Sequence, residues 1–301
     1  MTLFRLLTEG TRILEQAGSP DAKEDGKQLL LAAFHLDMVH FLMNRMEELE
    51  DNSRNRDQIQ LYREMIGRRK KRCPLQQILN RQEFMGLEFY VNRHVLIPRQ
   101  DTETLVELVL REEEMAAQNG KRNLSLLDLC TGSGCIAISL GVKGNFHKIT
   151  GTDISGEALL VARRNADTLL PFKETKKVEM EFFQGDLFEA LPKDGRKYHI
   201  ITSNPPYIPT KVIKTLEPEV RDFEPMTALD GAEDGLSYYR RIASDAGNYL
   251  QPDGRLYLEI GHDQKKPVEE ILAKAGYENI CTYKDLPGKD RVVSAQWPKN
   301  L

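Results

Sequence analysis

From about residue 101 onward, short apolar segments alternate with helical patterns, and this alternation constrains the fold more than any other feature of the chain. Helical stretches such as "GEALLVARRNADTLL" and "KKPVEEILAKAG" separate the strand candidates, which are "LSLLDLC", "KITGTDI", "VEMEFFQGD", "YHIITSN", "GRLYLEI", "NICTYKD" and "RVVSAQW". Such alternation predicts an α/β fold in which helices cover both faces of a mostly parallel sheet. Only "LPGK" separates the last two candidates, which is too short for a crossover helix. The sequence therefore predicts a seven-stranded, doubly wound sheet with one reversed strand at its edge.

The N-terminal part of the chain has a different pattern. Residues 1–80 repeat apolar side chains at three- and four-residue steps, as in "FRLLTEGTRILEQAG", which indicates a small helical bundle. The aromatic and β-branched stretch "EFMGLEFYVNRHVLIPR" follows and predicts a hairpin between two domains. We therefore expect a helical domain at 1–80, a hairpin linker at 81–100 and an α/β domain at 101–301.

Composition excludes several classes of protein. The chain is 40% hydrophobic and 29% charged, with a net charge of −4 and a pI of about 6.0, as expected for a soluble globular protein and not for a binder of polyanions. It lacks an apolar run of the roughly 20 residues that a membrane helix needs, and its N-terminus lacks the pattern of a signal peptide. We expect a cytoplasmic protein. The four cysteines and six histidines show no metal-site spacing, so no metal is predicted.

A glycine-rich turn follows the first strand of the α/β domain in "DLCTGSGCIAISL". Gly132 and Gly134 allow a ligand close to the backbone, and the next helix presents its positive N-terminus. The stretch also fits the dinucleotide fingerprint GxGxxA, and a tight turn without a ligand is the third alternative. Asp153 ends the next strand about 20 residues later, where a carboxylate can hold both ribose hydroxyls of an adenosine. The sequence predicts an adenosine cofactor, either a nicotinamide dinucleotide or S-adenosylmethionine, whose cationic groups would favour the nearby Asp128.

The fourth strand ends in "SNPPYIP". Two prolines fix the backbone, so that the Asn204 side chain and the Pro205 carbonyl can both accept hydrogen bonds from one planar NH₂ group. Tyr207 offers a flat face for stacking. Holding both hydrogens turns the nitrogen lone pair toward an electrophile. The sulfonium methyl of S-adenosylmethionine is a strong electrophile, so positioning the nitrogen can supply much of the rate acceleration. An ordinary proline turn is the alternative. The motif favours methyl transfer to a planar nitrogen.

With these motifs the chain resembles the HemK/PrmC family, the peptide chain release factor glutamine N5-methyltransferases, over essentially its whole length. The matching segments are "PLQQILNRQEFMGLEFYVNRHVLIPRQDTETLVE", "DLCTGSGCIAISL", "GTDISGEALLVARRNA", "GDLF", "SNPPYIP", "EVRDFEPMTALDGAEDGLSYYRRI" and "GRLYLEIG". The resemblance implies a class I, Rossmann-like methyltransferase domain behind a helical substrate-recognition domain and a hairpin linker. It also implies S-adenosylmethionine as cofactor and, as substrate, the glutamine of a Gly-Gly-Gln loop in class 1 release factors.

The resemblance also implies roles for individual residues. Catalysis falls to Asn204, Pro205 and Tyr207, which together with Pro206 would bind the substrate amide. The implied cofactor-binding residues are Cys130, Thr131, Gly132, Ser133, Gly134, Asp153, Asp186, Leu187 and Asn204. Cys130 stands where the family commonly has glycine, and Gln100 where it commonly has proline.

Two other functions remain open on the sequence. A DNA adenine-N6 methyltransferase shares the NPPY logic but must flip its base out and needs a basic cleft. The one basic run, "RRKKR" at 68–72, ends a helix, and a solvated helix end is the favoured interpretation. A contact with release factor or ribosome and a nucleic-acid site are the alternatives, and no direct nucleic-acid binding is expected. A binding module that keeps the fold without catalysis is the third interpretation. The acidic residues Glu217, Glu219, Glu224 and Asp230 are predicted to shape the loop over the site, and the protein is predicted to be a monomer.

Overall fold

A computed structural model describes residues 1–120, 122–170 and 178–299. The α-helices in chain order are α1 (Leu3–Gln16), α2 (Ala22–Phe34), α3 (Met38–Asn44), α4 (Ser53–Lys70), α5 (Leu75–Leu79), α6 (Glu103–Gln118), α7 (Cys135–Lys143), α8 (Gly156–Leu169), α9 (Thr210–Ile213), α10 (Pro218–Arg221), α11 (Met226–Leu229), α12 (Ser237–Asp245) and α13 (Lys265–Lys274). The strands are β1 (Arg81–Phe84), β2 (Leu87–Tyr90), β3 (Leu124–Leu129), β4 (Phe146–Asp153), β5 (Glu179–Gln184), β6 (Tyr198–Ser203), β7 (Leu250–Glu259), β8 (Glu278–Lys284) and β9 (Asp290–Gln296). Short 3-10 helices cover Gln100–Thr102, Leu187–Ala190 and Ala246–Asn248.

The described residues divide into two compact units. One consists of Met1–Arg81 together with a separate segment, Glu217–Phe223, and the other of Gln82–Leu216 and Glu224–Leu301. We call them the helical unit and the sheet unit, and we call Glu217–Phe223 the strap. The strap was not anticipated from the sequence, because it lies in the middle of the α/β pattern. None of the helices in the described ranges has the length and apolar character needed to cross a membrane.

The helical unit is held by an apolar core and by a buried ion-pair network. The core joins side chains from α1, α2 and α4, among them Leu6, Leu29 and Tyr62, each at most 1% exposed. Phe223 of the strap packs against the same core. Gln77 donates a hydrogen bond from Nε2 to the Phe223 carbonyl at 3.0 Å, so the strap is bound through its backbone as well.

The basic run at 68–72 belongs to this network, and the prediction of a solvated helix end is wrong for Arg69. Arg69 is only 6% exposed; its Nε donates to Asp25 at 2.7 Å and its Nη1 to Glu219 of the strap at 3.0 Å. Arg72 also pairs with Glu219, at 2.7 Å. A buried guanidinium needs such carboxylate partners because an unpaired buried charge is costly. Lys70 and Lys71 are exposed, as predicted.

Seven strands form the main sheet within the described residues, in the order β5-β4-β3-β6-β7-β9-β8. The pairs β5–β4, β4–β3, β3–β6 and β6–β7 are parallel, and β9 runs antiparallel to both neighbours. The predicted doubly wound α/β fold is confirmed. The reversed strand is not at the edge, however: β9 is inserted between β7 and β8, so β8 forms the edge. The short connection fixes that β8 and β9 pair, but not which of them adjoins β7.

Apolar cores on the two sides of the sheet explain the strand pattern. Leu126 of β3 belongs to the core formed with α6 and α7, whereas its neighbour Leu127 belongs to the core formed with α12 and α13. Both are fully buried, because a parallel sheet covered on both faces needs apolar side chains on both faces of a strand. The chain moves outward from β3 to β4 and β5 and then returns to β6 beside β3. Ligands bind at such a switch point, beyond the carboxyl ends of the strands.

The predicted hairpin is present as β1 and β2, which pair as a two-stranded sheet. Its two turn residues, Met85 and Gly86, both have positive φ (53° and 69°), as a two-residue hairpin loop requires. The Met85 amide donates to Glu103 at 2.6 Å.

Candidate active site

An open pocket of about 890 Å³ lies in the sheet unit at the carboxyl ends of β3, β4 and β6. We call it the strand-end pocket. The sequence-predicted residues that line it are Cys130, Thr131, Gly132, Ser133, Asp153, Asp186, Leu187, Asn204 and Pro206. Three predicted residues, Gly134, Pro205 and Tyr207, are outside this lining.

The glycine-rich turn between β3 and α7 is shaped by backbone conformation. Cys130 and Gly132 have φ values of 57° and 56°, and Gly134 has φ 79°. A left-handed conformation costs a non-glycine residue about 1–3 kcal/mol, which is the physical reason that glycine suits position 130 better than cysteine. At Gly134 an added Cβ would also lie 2.7 Å from Cδ1 of Ile138. The turn is therefore fixed before any ligand enters.

Asp128 lies behind this turn and does not line the pocket. It is fully buried, and it accepts hydrogen bonds from the hydroxyls of Thr131 at 2.6 Å and Thr202 at 2.8 Å. Burial raises the pKa of Asp128 to about 7, while these hydrogen bonds oppose the rise. In this structure the Asp128 side chain bonds the turn to β6, and the expectation that it meets a cationic group of the cofactor stays a prediction.

Asp153, the last residue of β4, binds the same turn through its carboxylate. Oδ2 accepts a hydrogen bond from the Gly132 amide at 2.8 Å, and Oδ1 accepts one from the Ser155 amide at 2.9 Å. Burial raises the pKa of Asp153, and the backbone donors counter that rise. Each carboxylate oxygen can accept more than one hydrogen bond, so Asp153 can still accept from two hydroxyls. Ser155 in turn caps α8, since its Oγ accepts from the Ala158 amide.

Asp186 and Leu187 form a third part of the lining. Leu187, two residues after Gly185, is buried and has a left-handed backbone (φ 49°). Asp186 forms an ion pair with Arg241 of α12 at 2.8 Å, a partner 55 positions away that the sequence did not indicate. This pair fixes the edge of the pocket where the resemblance placed the adenine.

Asn204 is the NPPY residue whose side chain is oriented most clearly. Its Nδ2 donates to the hydroxyl of Thr102 at 3.4 Å. Its side chain also lies beside the buried carboxyl group of Glu259 and favours the ionised form of that group. Because the oxygen and nitrogen of an amide lie on opposite sides, an Nδ2 held by Thr102 leaves Oδ1 as an acceptor on the other side. Sequence reasoning missed Thr102 and Glu259. Glu259 ends a buried strand beside β6, which is the signal that could have found it.

Tyr207 is fixed mainly through its backbone. Its carbonyl accepts a hydrogen bond from Nε2 of Gln264 at 3.0 Å. A Cβ added at Gly231 would lie 2.8 Å from the Tyr207 Cα, and one added at Gly235 would lie within 2.5 Å of the Tyr207 carbonyl oxygen. These two glycines explain the "ALDGAEDGL" segment, since a larger side chain at either position would displace the NPPY turn. Tyr207 packs against the apolar core, and burial raises the pKa of its hydroxyl.

The four acidic residues after the motif each have a partner within their own unit. Glu217 and Glu219 pair with Arg72 in the helical unit. Glu224 accepts from Arg99 at 2.7 and 2.9 Å, and Asp230 accepts from the Thr210 hydroxyl at 2.6 Å. Arg99, which lines the strand-end pocket, belongs to the "IPRQDTE" segment and was also missed. These contacts are those of residues that shape a loop.

Comparison with known proteins gives two family matches. Residues 5–79 match the PrmC N-terminal domain, and residues 106–216 match the methyltransferase small domain. Two curated relatives are named release factor glutamine methyltransferase. The one from Geobacter sulfurreducens is 38% identical over 98% of this chain and 96% of its own length, and the one from Clostridium acetobutylicum is 38% identical over 98% of both chains.

Among solved structures, the sheet fold is similar to that of the hMettl16 catalytic domain in complex with MAT2A 3'UTR hairpin 1. The TM-score is 0.54 at 17% identity, covering 78% of this chain and 80% of that chain. At this identity the likeness shows the fold alone.

Proposed function

The chain belongs to the release factor glutamine methyltransferase family, and on that premise we propose that it methylates the glutamine of the Gly-Gly-Gln motif in class 1 peptide chain release factors. The methyl group comes from S-adenosylmethionine and is transferred to the side-chain amide nitrogen N5. Two relatives at 38% identity over nearly the whole chain support the assignment. The structural observation that carries it is the orientation of Asn204.

An amide acceptor with a fixed orientation suits an NH₂ substrate. The Nδ2 of Asn204 is occupied by Thr102, so that Oδ1 is the atom available to accept one hydrogen of the glutamine amide. We assign the second acceptor to the carbonyl of Pro205 and the stacking face to Tyr207. Both prolines of the motif are buried, which limits the movement of these acceptors. Holding both hydrogens would leave the nitrogen lone pair aimed at one point.

The lining of the strand-end pocket fits S-adenosylmethionine. Asp153 offers carboxylate oxygens for the ribose hydroxyls, and we assign Thr131 to Gly134, with Cys130 beside them, to the methionine portion. Asp186 and Leu187 are assigned to the adenine, where Leu187 supplies apolar surface and Asp186 is held by Arg241. When bound, S-adenosylmethionine supplies an electrophilic methyl group to a nitrogen that gives up one proton.

The function can be tested with methyl-labelled S-adenosylmethionine and three acceptors in parallel. The acceptors are a class 1 release factor, the same factor with alanine in place of the Gly-Gly-Gln glutamine, and duplex DNA containing adenine. We expect label in the first alone. Label in DNA would instead support an adenine-N6 methyltransferase, and equal label in both release factors would place the methyl group on another residue.

We further propose that the helical unit recognises the protein substrate. Four large apolar side chains on or just after α3 are each more than half exposed: Val39, Leu42, Met43 and Met46. Exposed apolar side chains grouped in this way are typical of an interaction surface. Deleting residues 1–82 is a poor test, because it would also leave the strap without its partners.

Substitutions on α3 are a cleaner test of that role. Val39→Ser combined with Met43→Gln should raise the KM for the release factor roughly fivefold, the change that corresponds to about 1 kcal/mol at an interface. The affinity for S-adenosylmethionine in a titration calorimeter should not change. Leu160→Gln is the matched control, since Leu160 is equally exposed but lies on α8 in the sheet unit. An unchanged KM for the α3 variant would move the recognition surface elsewhere.

We also propose that the protein acts as a cytoplasmic monomer without direct contact to nucleic acid. Its four cysteines are free thiols, which suits a reducing compartment. The net charge of −4 and the internal pairing of Arg69 and Arg72 leave little basic surface for a polyanion. Sedimentation with and without duplex DNA tests the monomeric state and the lack of direct nucleic-acid binding.

A further inference from the structure

A buried carboxylic acid lies beside the NPPY turn, and the methyl-transfer chemistry described above gives it no role. Glu259 is the last residue of β7 and is only 1% exposed. In the parallel pairing of β6 with β7, Ser203 is in register with Leu258. The next residues along the two strands, Asn204 and Glu259, therefore leave the sheet side by side at its carboxyl edge.

Glu259 and Asn204 share Thr102 as a polar neighbour. The side chains of Thr102 and Asn204 lie beside the Glu259 carboxyl group and favour its ionised form, and the Thr102 hydroxyl accepts a hydrogen bond from Asn204 Nδ2 at 3.4 Å. The three side chains thus form one buried polar cluster. The Glu259 atom Oε2 has no hydrogen-bond partner among the described residues. The backbone carbonyl of Glu259 is fixed as well, since the Tyr239 hydroxyl donates to it at 2.9 Å.

The surroundings of Glu259 bring its ionisation into the physiological range. Burial is the largest influence and raises the pKa of Glu259 to about 7; the Asp101 carboxylate of the 3-10 helix adds to the rise, and Arg291 of β9 opposes it. The other titratable groups that face Glu259 are Tyr207 of the NPPY turn, Tyr239 of α12 and Cys135 of α7. Burial holds all three neutral at pH 7.

We propose that Glu259 is a positioning residue that sets which way the Asn204 amide faces. An ionised carboxylate can only accept, so it binds Nδ2 and leaves Oδ1 for the substrate NH₂ group. A neutral carboxyl group can donate to Oδ1 instead, which favours the flipped amide. The flipped amide would present its own NH₂ group to the substrate, donor against donor. The inference rests on the proposed amide methylation and adds a pH requirement to it.

The sign of the pH dependence follows from this orientation. At pH above the pKa of Glu259 the carboxylate is ionised and Asn204 faces the substrate correctly. As the pH falls through about 7, protonation should lower kcat at saturating concentrations of both substrates. Asp128 titrates in the same range but holds the Thr131 turn, so its protonation should appear in the affinity for S-adenosylmethionine rather than in kcat.

The first test compares kcat–pH profiles of the full-length protein and Glu259→Gln with a release factor as substrate. We expect the acid limb near pH 7 to disappear in Glu259→Gln and kcat at pH 8 to fall about 10- to 100-fold, the scale for a misplaced reacting group. Glu112→Gln is the matched control. Glu112 of α6 pairs with Arg255, which lies on β7 like Glu259 but away from the site. The kcat–pH profile of Glu112→Gln should equal that of the natural protein. An unaltered kcat and acid limb in Glu259→Gln would overturn the proposal.

A double variant keeps the proposal testable if Glu259→Gln alone folds poorly. Asn204→Asp places two carboxylates side by side, whereas Asn204→Asp combined with Glu259→Gln restores one acid and one amide with their positions exchanged. The amide at 259 can then donate to the carboxylate at 204 and orient it. We expect the double variant to be several-fold more active than Asn204→Asp, a rescue that a merely structural role would not produce.

The outcomes separate this proposal from the proposed function. A natural protein that labels no release factor would refute the function itself. A natural protein that labels the release factor, but whose kcat has no acid limb near pH 7, would refute the role of Glu259 alone. The same conclusion would follow from a double variant that is less active than Asn204→Asp.

Discussion

The turns after β3 and β6 follow adjacent parallel strands, yet they are held in two different ways. The glycine-rich turn after β3 depends on left-handed backbone at Cys130, Gly132 and Gly134. It also depends on a hydrogen bond that the Gly132 amide donates to Asp153, 21 positions away. The NPPY turn after β6 depends on side chains 57 to 102 positions away, chiefly Thr102 and Gln264. The first is formed largely by local backbone conformation, and the second is imposed by the surrounding fold.

The difference indicates a division of labour. A turn fixed by its own backbone presents amide groups and a carboxylate, which suits binding of a ligand that is present throughout the reaction. A side chain fixed by distant hydrogen bonds can be aligned with one reacting atom. We therefore expect changes in the β3 turn to lower the affinity for S-adenosylmethionine and changes in the NPPY turn to lower kcat.

The largest effect should come from Asn204→Ala. It removes the acceptor for the substrate amide, and kcat and kcat/KM should fall together by about 10²–10³, as for other preorganised polar contacts. Asn204→Asp keeps an acceptor in the same position and should retain partial activity. Cofactor affinity measured by calorimetry should change far less than kcat in either variant. A near-normal rate for Asn204→Ala with lost cofactor affinity would contradict the assignment of cofactor binding to the β3 turn and of the chemical step to the NPPY turn.

Asp153→Ala should have the next largest effect, and it should change cofactor affinity and not kcat. Losing hydrogen bonds to a charged group should weaken S-adenosylmethionine binding by about 1.5–3 kcal/mol, or roughly 10- to 150-fold. The kcat at saturating cofactor should change little. Asp153 also accepts hydrogen bonds from the amides of Gly132 and Ser155. Asp153→Asn can replace only part of that pairing, so its cofactor affinity should lie between those of Asp153→Ala and the natural protein. Unchanged affinity in the calorimeter would contradict the ribose assignment.

The smallest effect should come from Tyr207→Phe. Stacking on the substrate needs the ring and not the hydroxyl, and the Tyr207 carbonyl that Gln264 binds is unaltered. We expect kcat within about threefold of the natural value, well under the 10²–10³ of Asn204→Ala. Tyr207→Ala is the severe counterpart, because truncating a packed aromatic ring costs about 3–5 kcal/mol of stability. A thermal melt alongside the kinetics separates the two contributions.

Much of the fold could be predicted because its signals are local. The alternation of strands and helices gave the doubly wound sheet, and positive φ at Met85 and Gly86 agrees with the expected hairpin. The predicted position of β9 was wrong because a short connection specifies that β8 and β9 pair, but not which of them lies next to β7. The strap could not be predicted at all, since nothing in "EPEVRDF" distinguishes a segment that packs with residues before position 82.

The site residues that could be predicted are likewise those with a local signal in the sequence. Asp153 and the glycines were found because each stands at the end of a recognisable strand. Thr102, Glu259 and Gln264 were missed because their significance depends on residues 55 to 102 positions away, which periodicity does not reveal. The prediction for Arg69 was wrong for the same reason: its partly buried partner Glu219 lies 150 positions away.

The strap also determines when the helical unit can be completed on the ribosome. Glu219 and Phe223 belong to that unit, but residues 82–216 must be synthesised before them. At about 5–20 residues per second, translation of that stretch takes roughly 7–27 s. Throughout this interval the nascent helices lack one carboxylate partner for Arg69 and one aromatic side chain of their core. The unit encoded first is therefore finished only after four of the seven strands of the main sheet have been made.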